Sequence, residues 1–428
     1  MSIFTYNPVL ASLVDASIER LAGEEELSAS VIRAAVENGS MVLLGNPAHK
    51  NLRPILIGQP ARVKVNANIG TSPLSGTLDC EIAKVRAALE AGADTVMDLS
   101  TGGDLTAIRE DILAACPVPL GTVPVYAVAE RYIREGKDPA LFTTDELFGE
   151  IEKQAGQGVD YMTVHCGITR EAAAWAADPK NRVLGIVSRG GAIHARRMRE
   201  YGEENPLLEQ FDRLLAIARQ HNVTLSLGDA LRPGAGQDAG DAAQWDEVIQ
   251  LGKLAARALE YGVQCMIEGP GHVPLDQVEA QISCIKRLTR NAPLYVLGPL
   301  TTDCSPGYDH IAGAIGGAAA VRAGTDFLCY LTPAEHLTLP DAADVREGVM
   351  ASRVAAQAGE TSSPNPLVRA RAKKREQAMS AARKRLDWAA MAQHALDPAV
   401  VAKRREPHAS EEACAMCGSF CSVKMLRR

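Results

Sequence analysis

Between residues 63 and 333 the chain alternates short apolar runs with longer stretches of helical periodicity, the pattern of parallel strands joined by helical crossovers. Nine runs read as strands: 63–68, 95–99, 122–126, 161–165, 184–188, 224–229, 265–268, 294–297 and 327–331. A closed eight-stranded barrel needs one fewer. The run 122–126 is the one expected to be irregular, because Pro124 cannot donate to a strand ladder. Nearly every run ends in polar residues and glycine, as at Asn68…Gly70, Asp98…Gly102, His165…Gly167, Ser188-Arg189-Gly190-Gly191, Asp229…Gly234 and Glu268-Gly269-Pro270-Gly271-His272. In a (β/α)8 barrel those carboxyl ends converge on the face that builds the active site. The predicted fold class is therefore α/β, a TIM-type (β/α)8 barrel over residues 63–340.

The flanks change character. Residues 1–62, with a helical stretch at 28–38 and a Gly/Pro-punctuated segment at 45–60, read as a small N-terminal subdomain. Residues 341–396 read as helices, and 369–388 carry a dense basic face (Arg369, Arg371, Lys373, Lys374, Arg375, Arg383, Lys384, Arg385) that suits a solvated surface or an anion or subunit contact. Residues 397–428 are polar and aperiodic, which predicts a mobile arm.

Composition narrows the function. The 428 residues are 46% hydrophobic and 23% charged, which excludes a chain that is mostly disordered. A net charge of −7 argues against a general binder of nucleic acid or acidic membrane, so a small-molecule partner is expected. No apolar run approaches the roughly 20 residues that span a bilayer, and the opening Met1-Ser2-Ile3-Phe4 lacks a basic segment followed by an apolar one. A cytoplasmic location is expected. Seven of the ten cysteines are dispersed (Cys80, Cys116, Cys166, Cys265, Cys284, Cys304, Cys329), and each reads as a small buried apolar residue rather than half of a disulfide.

The other three, Cys414, Cys417 and Cys421, place three thiols within eight residues and can converge on one metal centre. Three ligands suit a [4Fe–4S] cluster with one open iron. A closed structural zinc site needs a fourth, for which His408 is available, and a chance surface grouping is the third reading. An open iron would suit S-adenosylmethionine, whose amino and carboxylate groups can chelate it. His272 and His336 sit at strand ends among Gly and Pro, and with Glu268 and His165 expected nearby they form a candidate divalent metal site, zinc or another ion. Arg189 and Arg232 each lie beside flexible backbone suited to phosphate or carboxylate; the plainer reading of either is a pair with a neighbouring aspartate.

Eight ordered motifs resemble those of the phosphomethylpyrimidine synthase family: Lys64-Val-Asn-Ala-Asn-Ile-Gly70, 93–102, Gly121-Thr-Val-Pro-Val-Tyr126, 187–191, 226–234, Met266-Ile-Glu-Gly-Pro-Gly-His-Val-Pro274, 297–303 and 306–310. The resemblance implies a radical S-adenosylmethionine enzyme on a (β/α)8 barrel. It also implies a homodimer whose cysteine arm reaches the partner subunit, an external one-electron donor, and 5-aminoimidazole ribotide as substrate. Carried over position by position, it implies substrate contacts at Asn68, Met97, Tyr126, His165, Ser188, Arg189, Gly190, Asp229, Arg232, Glu268 and Tyr295. It further implies a zinc or other divalent ion on His272 and His336, and a [4Fe–4S] cluster on Cys414, Cys417 and Cys421. Two departures stand out: three residues rather than the frequent four separate Cys417 from Cys421, and the first 60 residues lack the opening associated with the thiamin enzymes. The second points to the branch that makes 5-hydroxybenzimidazole, a cobamide lower-ligand base, with hydroxymethylpyrimidine phosphate synthesis as the alternative. A zinc-dependent barrel hydrolase or lyase with a structural zinc arm is the reading from another class.

Overall fold

The computed structural model describes residues 2–426. Strands β1 (Val42–Leu44) and β2 (Ile55–Ile57) form a short antiparallel pair. Eight parallel strands follow: β3 (Lys64–Ile69), β4 (Thr95–Asp98), β5 (Leu120–Thr122), β6 (Tyr161–Val164), β7 (Thr224–Leu227), β8 (Cys265–Glu268), β9 (Leu294–Leu297) and β10 (Phe327–Cys329). They pair in chain order, and β10 closes on β3 with Phe327 opposite Lys64, giving the expected eight-stranded barrel. Helices cover the outside and side chains fill the inside, so the strands are buried on both faces and appear in the sequence as continuous runs.

The surplus strand is not the one expected. β5 exists but ends at Thr122, and Pro124 occupies the first turn of the helix Pro124–Arg134, where a missing N–H costs nothing. The run 184–188 fails instead. Gly185 takes a φ of 63°, the N–H groups of Val183 and Leu184 donate to the Asp238 carboxylate, and Ser188 caps the helix Arg189–Tyr201 by accepting from the Gly191 N–H at 3.1 Å. These bonds hold the run as an extended loop off the barrel.

The amino-terminal residues cover the end at which the strands begin. Helices Pro8–Glu25 and Ala29–Glu37 bury Leu10, Val14, Leu21, Ile32 and Val36 against Met41, Leu43 and Leu56. Gln264, just before β8, both donates to and accepts from the Leu43 backbone, at 2.9 and 2.7 Å. Asp160, just before β6, accepts from the backbone N–H of Asn46 and Leu120 and from His49. The opposite end, where β3 to β10 finish, is left open for chemistry.

Beyond the barrel run the helices Ala342–Glu360, Pro366–Arg385 and Trp388–His394. The basic face is divided: Arg371 donates to the carbonyls of Glu25 and Pro60, Lys374 pairs with Glu26 at 2.8 Å, and Arg375 donates to the carbonyls of His394 and Ala395, while Arg383 to Arg385 remain exposed. The arm, aperiodic in sequence, nevertheless contains short helices. Asp397 caps a helix, Pro398–Arg405, whose proline sits in the first turn, and a short helix Ser422–Met425 follows the last cysteine. Of the dispersed cysteines Cys116, Cys166, Cys265 and Cys329 are buried as expected; Cys80, Cys284 and Cys304 are exposed, because their helix or loop positions face solvent.

Candidate active site

Asn68, Met97, Tyr126, His165, Asp229, Arg232, Glu268 and Tyr295 line one cavity of about 100 Å³ at the carboxyl ends of the strands. Seven different strands or the loops that follow them supply these residues, which brings together side chains up to 227 positions apart. A second cavity of about 210 Å³ shares Asn68 and Leu99 with the first and is lined also by Arg189, Glu335 and His336.

Polar groups inside the barrel hold the floor. Asn66 donates to the Tyr295 hydroxyl at 2.8 Å and to Asn68 Oδ1 at 2.7 Å, and accepts from Tyr161 and Thr95. Tyr295 stacks on Phe327 with centroids 4.2 Å apart. Tyr161 crosses beside Gly121, where an added Cβ would lie 2.3 Å from the ring, so only glycine admits it. Asn68 in turn donates to Cys329 Sγ at 3.1 Å, and burial pushes that thiol up to about 12. The sequence reading gives neither Cys329 nor Asn66 a site role: Cys329 reads there as a small buried apolar residue, and Asn66 only as part of a motif. They sit within otherwise apolar strand runs, and no local signal separates a cysteine facing a cavity from one in the core.

Ser188 and Gly190 act one layer back. The Ser188 hydroxyl lies 3.1 Å from His165 Nε2, and a Cβ on Gly190 would meet the same ring at 2.1 Å. The ring is thus clamped flat against the start of the helix Arg189–Tyr201. Burial lowers the pKa of His165 well below the usual histidine value, so the ring is neutral. The two arginine candidates separate. Arg232 is paired with Asp229 at 3.0 Å, whereas Arg189, over the Tyr126 ring at 4.8 Å, makes no ion pair among the described residues and stands at a helix N-terminus.

Burial raises the pKa of both Asp229 and Glu268 above the ordinary carboxylate range. Arg232 opposes this for each, and the charge of Glu268 adds to it for Asp229. Glu268 Oε1 accepts from Thr163 at 2.6 Å and Ser226 at 2.8 Å. The cavity therefore offers two desolvated acceptors that are stabilised as anions when a cationic or N–H-rich group enters.

His272 and His336 lie with ring centroids 5.6 Å apart. Nδ1 of His272 is 2.7 Å from Asp303 and Nδ1 of His336 is 3.4 Å from Asp309, an arrangement that leaves both Nε2 lone pairs for a shared cation. His336 adopts a left-handed φ of 62°, a conformation that non-glycine residues hold at a cost, commonly at functional positions. The pair fits a divalent ion with open positions. Glu268 and His165, expected beside it, face the central cavity instead, because Thr163, Ser226 and Ser188 hold them there.

On the arm, the N–H groups of Cys417 and Gly418 donate to the Cys414 carbonyl and turn the chain back on itself. Hydrogen bonds from the Cys417 backbone and thiol lower the pKa of Cys414, while Cys414 and then Cys421 raise that of Cys417, so the thiols sense one another's charge. Such a set suits a multiply charged centre that neutralises several thiolates. Among the described residues no three His, Cys, Asp or Glu side chains are gathered tightly enough to hold a metal ion, so the three thiols do not form a ready-made site in this conformation, with or without His408.

The sequence pattern of the radical SAM ThiC family matches residues 7–428. The phosphomethylpyrimidine synthase of Desulforamulus reducens is 49% identical over 419 residues, 97% of this chain and 96% of that one. Those of Methanopyrus kandleri and Desulfotalea psychrophila are 48% and 47% identical over 417 and 412 residues, in each case 96% of this chain and 95% or 94% of the relative. With its strand-end motifs assembled on one barrel face and its three arm cysteines in place, the chain belongs to the radical SAM ThiC family.

Proposed function

We propose that this protein is a phosphomethylpyrimidine synthase, converting 5-aminoimidazole ribotide to hydroxymethylpyrimidine phosphate with S-adenosylmethionine. The observation that carries this reading is the near-full-length identity of 47–49% to proteins of that name, which extends through the amino-terminal segment. The opening of residues 1–60 favours 5-hydroxybenzimidazole in the sequence reading, whereas relatives named for the pyrimidine product align over 96–97% of the chain and support the alternative better.

Arg189 and the N-terminus of the helix Arg189–Tyr201 provide positive charge and N–H donors for the ribotide phosphate. Neutral His165, clamped by Ser188 and Gly190, presents one imidazole edge to the cavity. Asp229, Glu268 and Asn68 accept from the substrate amine, which restores the charge that burial disfavours. Tyr126, Met97 and Tyr295 close apolar walls on the ring. Cys414, Cys417 and Cys421 would hold the [4Fe–4S] cluster that supplies an electron for generating the 5′-deoxyadenosyl radical. His272 and His336 would hold zinc or another divalent ion at the rim of the second cavity. The exposed Met416 and Phe420 on the arm suit insertion into a partner subunit of a homodimer. No helix of the described residues is long and apolar enough to cross a membrane.

Anaerobic turnover of the reconstituted protein with the ribotide, S-adenosylmethionine and dithionite, resolved by mass spectrometry, tests the proposal. Pyrimidine phosphate together with 5′-deoxyadenosine is the expected outcome. Hydroxybenzimidazole would reassign the product, and the absence of 5′-deoxyadenosine would return the chain to non-radical metal chemistry.

A further inference from the structure

The carboxyl-terminal segment is charged against the rest of the molecule. Residues 366–428 hold fourteen Lys and Arg against six Asp and Glu, whereas residues 1–365 hold 31 against 46. Part of the basic set is consumed in structure, through Arg371, Lys374 and Arg375. Lys373, Arg383, Lys403 and Arg404 have no side-chain partner among the described residues, and all four are exposed.

This charge borders the cysteines. Ser380, Arg383, Lys384 and Arg385, at the end of the helix Pro366–Arg385, form one wall of a cleft of about 750 Å³; Val423 and Leu426, just past Cys421, form the other. The two walls are tied at their base. The Arg405 guanidinium lies 4.0 Å from the Trp388 ring centroid and donates to the carbonyls of His408 and Glu411, while Trp388 Nε1 donates to the Glu412 carbonyl at 2.9 Å. The helix end, the arm root and the cysteine turn therefore present a continuous surface.

We infer that this basic surface is the docking site of an acidic one-electron carrier protein, which delivers its electron to the centre on Cys414, Cys417 and Cys421. The inference rests on the radical reading above: the carrier is oxidised by one electron as the cluster is reduced by one. Charge complementarity selects this occupant. Encounters between electron carriers and their acceptors are small, brief and steered by charge. A permanent interface, by contrast, is depleted in lysine, while Lys384 lines this cleft between Arg383 and Arg385. The arm's apolar residues, Met416 and Phe420, are the part suited to lasting contact with a second copy.

The test compares wild type with an Arg383→Glu/Lys384→Glu/Arg385→Glu variant and the matching triple Gln variant, which guards against a fault from acidic residues at a helix C-terminus. 5′-Deoxyadenosine formation is measured with reduced acidic flavodoxin and, separately, with dithionite. The expected result is a fall of about tenfold or more with flavodoxin for the Glu variant and a smaller fall for the Gln variant. Dithionite rates should be unchanged, and the salt dependence seen in wild type should flatten. Flavodoxin-driven rates equal to wild type with the same salt dependence would overturn the proposal. So would a loss shared equally by dithionite, or dissociation of an oligomer in both variants, which would assign the surface to a second copy. If wild type forms no 5′-deoxyadenosine even with dithionite, the radical reading itself falls and the docking proposal with it.

Discussion

His272 and His336 face each other with ring centroids 5.6 Å apart, and each turns its Nδ1 to a carboxylate, Asp303 or Asp309. Nothing in their local sequences links the two; closure of the barrel does. The Asp303 carboxyl, which burial would raise, is held below the usual range by the Gly236 N–H and by His272, so it remains an acceptor that fixes the His272 ring.

His336→Ala should lose the divalent metal and keep the cluster iron. Asp303→Asn should retain the metal but bind it about 10- to 100-fold more weakly, because the ring loses its orienting acceptor. Metal analysis after titration with a chelator checks both, and unchanged zinc content in His336→Ala would remove that residue from the site.

Cys414→Ser, Cys417→Ser and Cys421→Ser should each abolish the reconstituted cluster, read as lost iron, sulfide and absorbance in the visible range. The barrel should be untouched, since its core contains none of the three. Circular dichroism and melting temperature like those of wild type would accompany the loss.

Gly190→Ala should inactivate the enzyme, because its Cβ would fall 2.1 Å from His165 and displace the ring. The cost in stability should be about 1–3 kcal/mol, the range for forcing an extra methyl into a packed site. Gly23→Ala, with open space around it, is the matching control.

Arg189→Ala and Arg232→Ala should differ. Loss of unpaired Arg189 should raise KM about 10- to 100-fold with little change in stability, as expected for one charge-assisted contact of about 1.5–3 kcal/mol. Loss of Arg232 leaves Asp229 buried without its partner and should cost about 3 kcal/mol in unfolding free energy as well as activity. Denaturant melts and steady-state kinetics separate the two.

Stability should fall on acidification. His194 is fully buried; burial first and then Arg197 lower its pKa to about 3, and burial likewise lowers that of His165. Folded, both rings stay neutral; unfolded, they take up protons below about pH 6.5, so the unfolded state binds more protons and stability declines from there toward pH 3. His194 alone should account for about 2 kcal/mol at pH 5. His194→Asn should flatten this limb in urea melts at pH 5 and 7, the more readily because neither ring nitrogen of His194 has a hydrogen-bond partner.

What the sequence determined by itself was local or repetitive. Apolar runs ending in polar residues and glycine specified the barrel and its reactive face. The spacing of Cys414, Cys417 and Cys421 specified three thiols in reach of one centre, since a chain turn of eight residues needs no distant support. The order of motifs was enough for the family. Tertiary structure decided the relations that span the barrel: which arginine is paired and which is not, that Glu268 is held by Thr163 and Ser226 rather than near His272, and that Cys329 faces the cavity while Asn66 supports its floor. It also decided which apolar run stays out of the sheet. Periodicity registers burial one residue at a time, but a strand needs neighbours on both edges, and the run 184–188 spends its hydrogen bonds on Asp238 and on a helix cap instead. Distances between side chains remote in the chain arise only when eight strands close with a particular register, and that register is a property of the whole barrel rather than of any one segment.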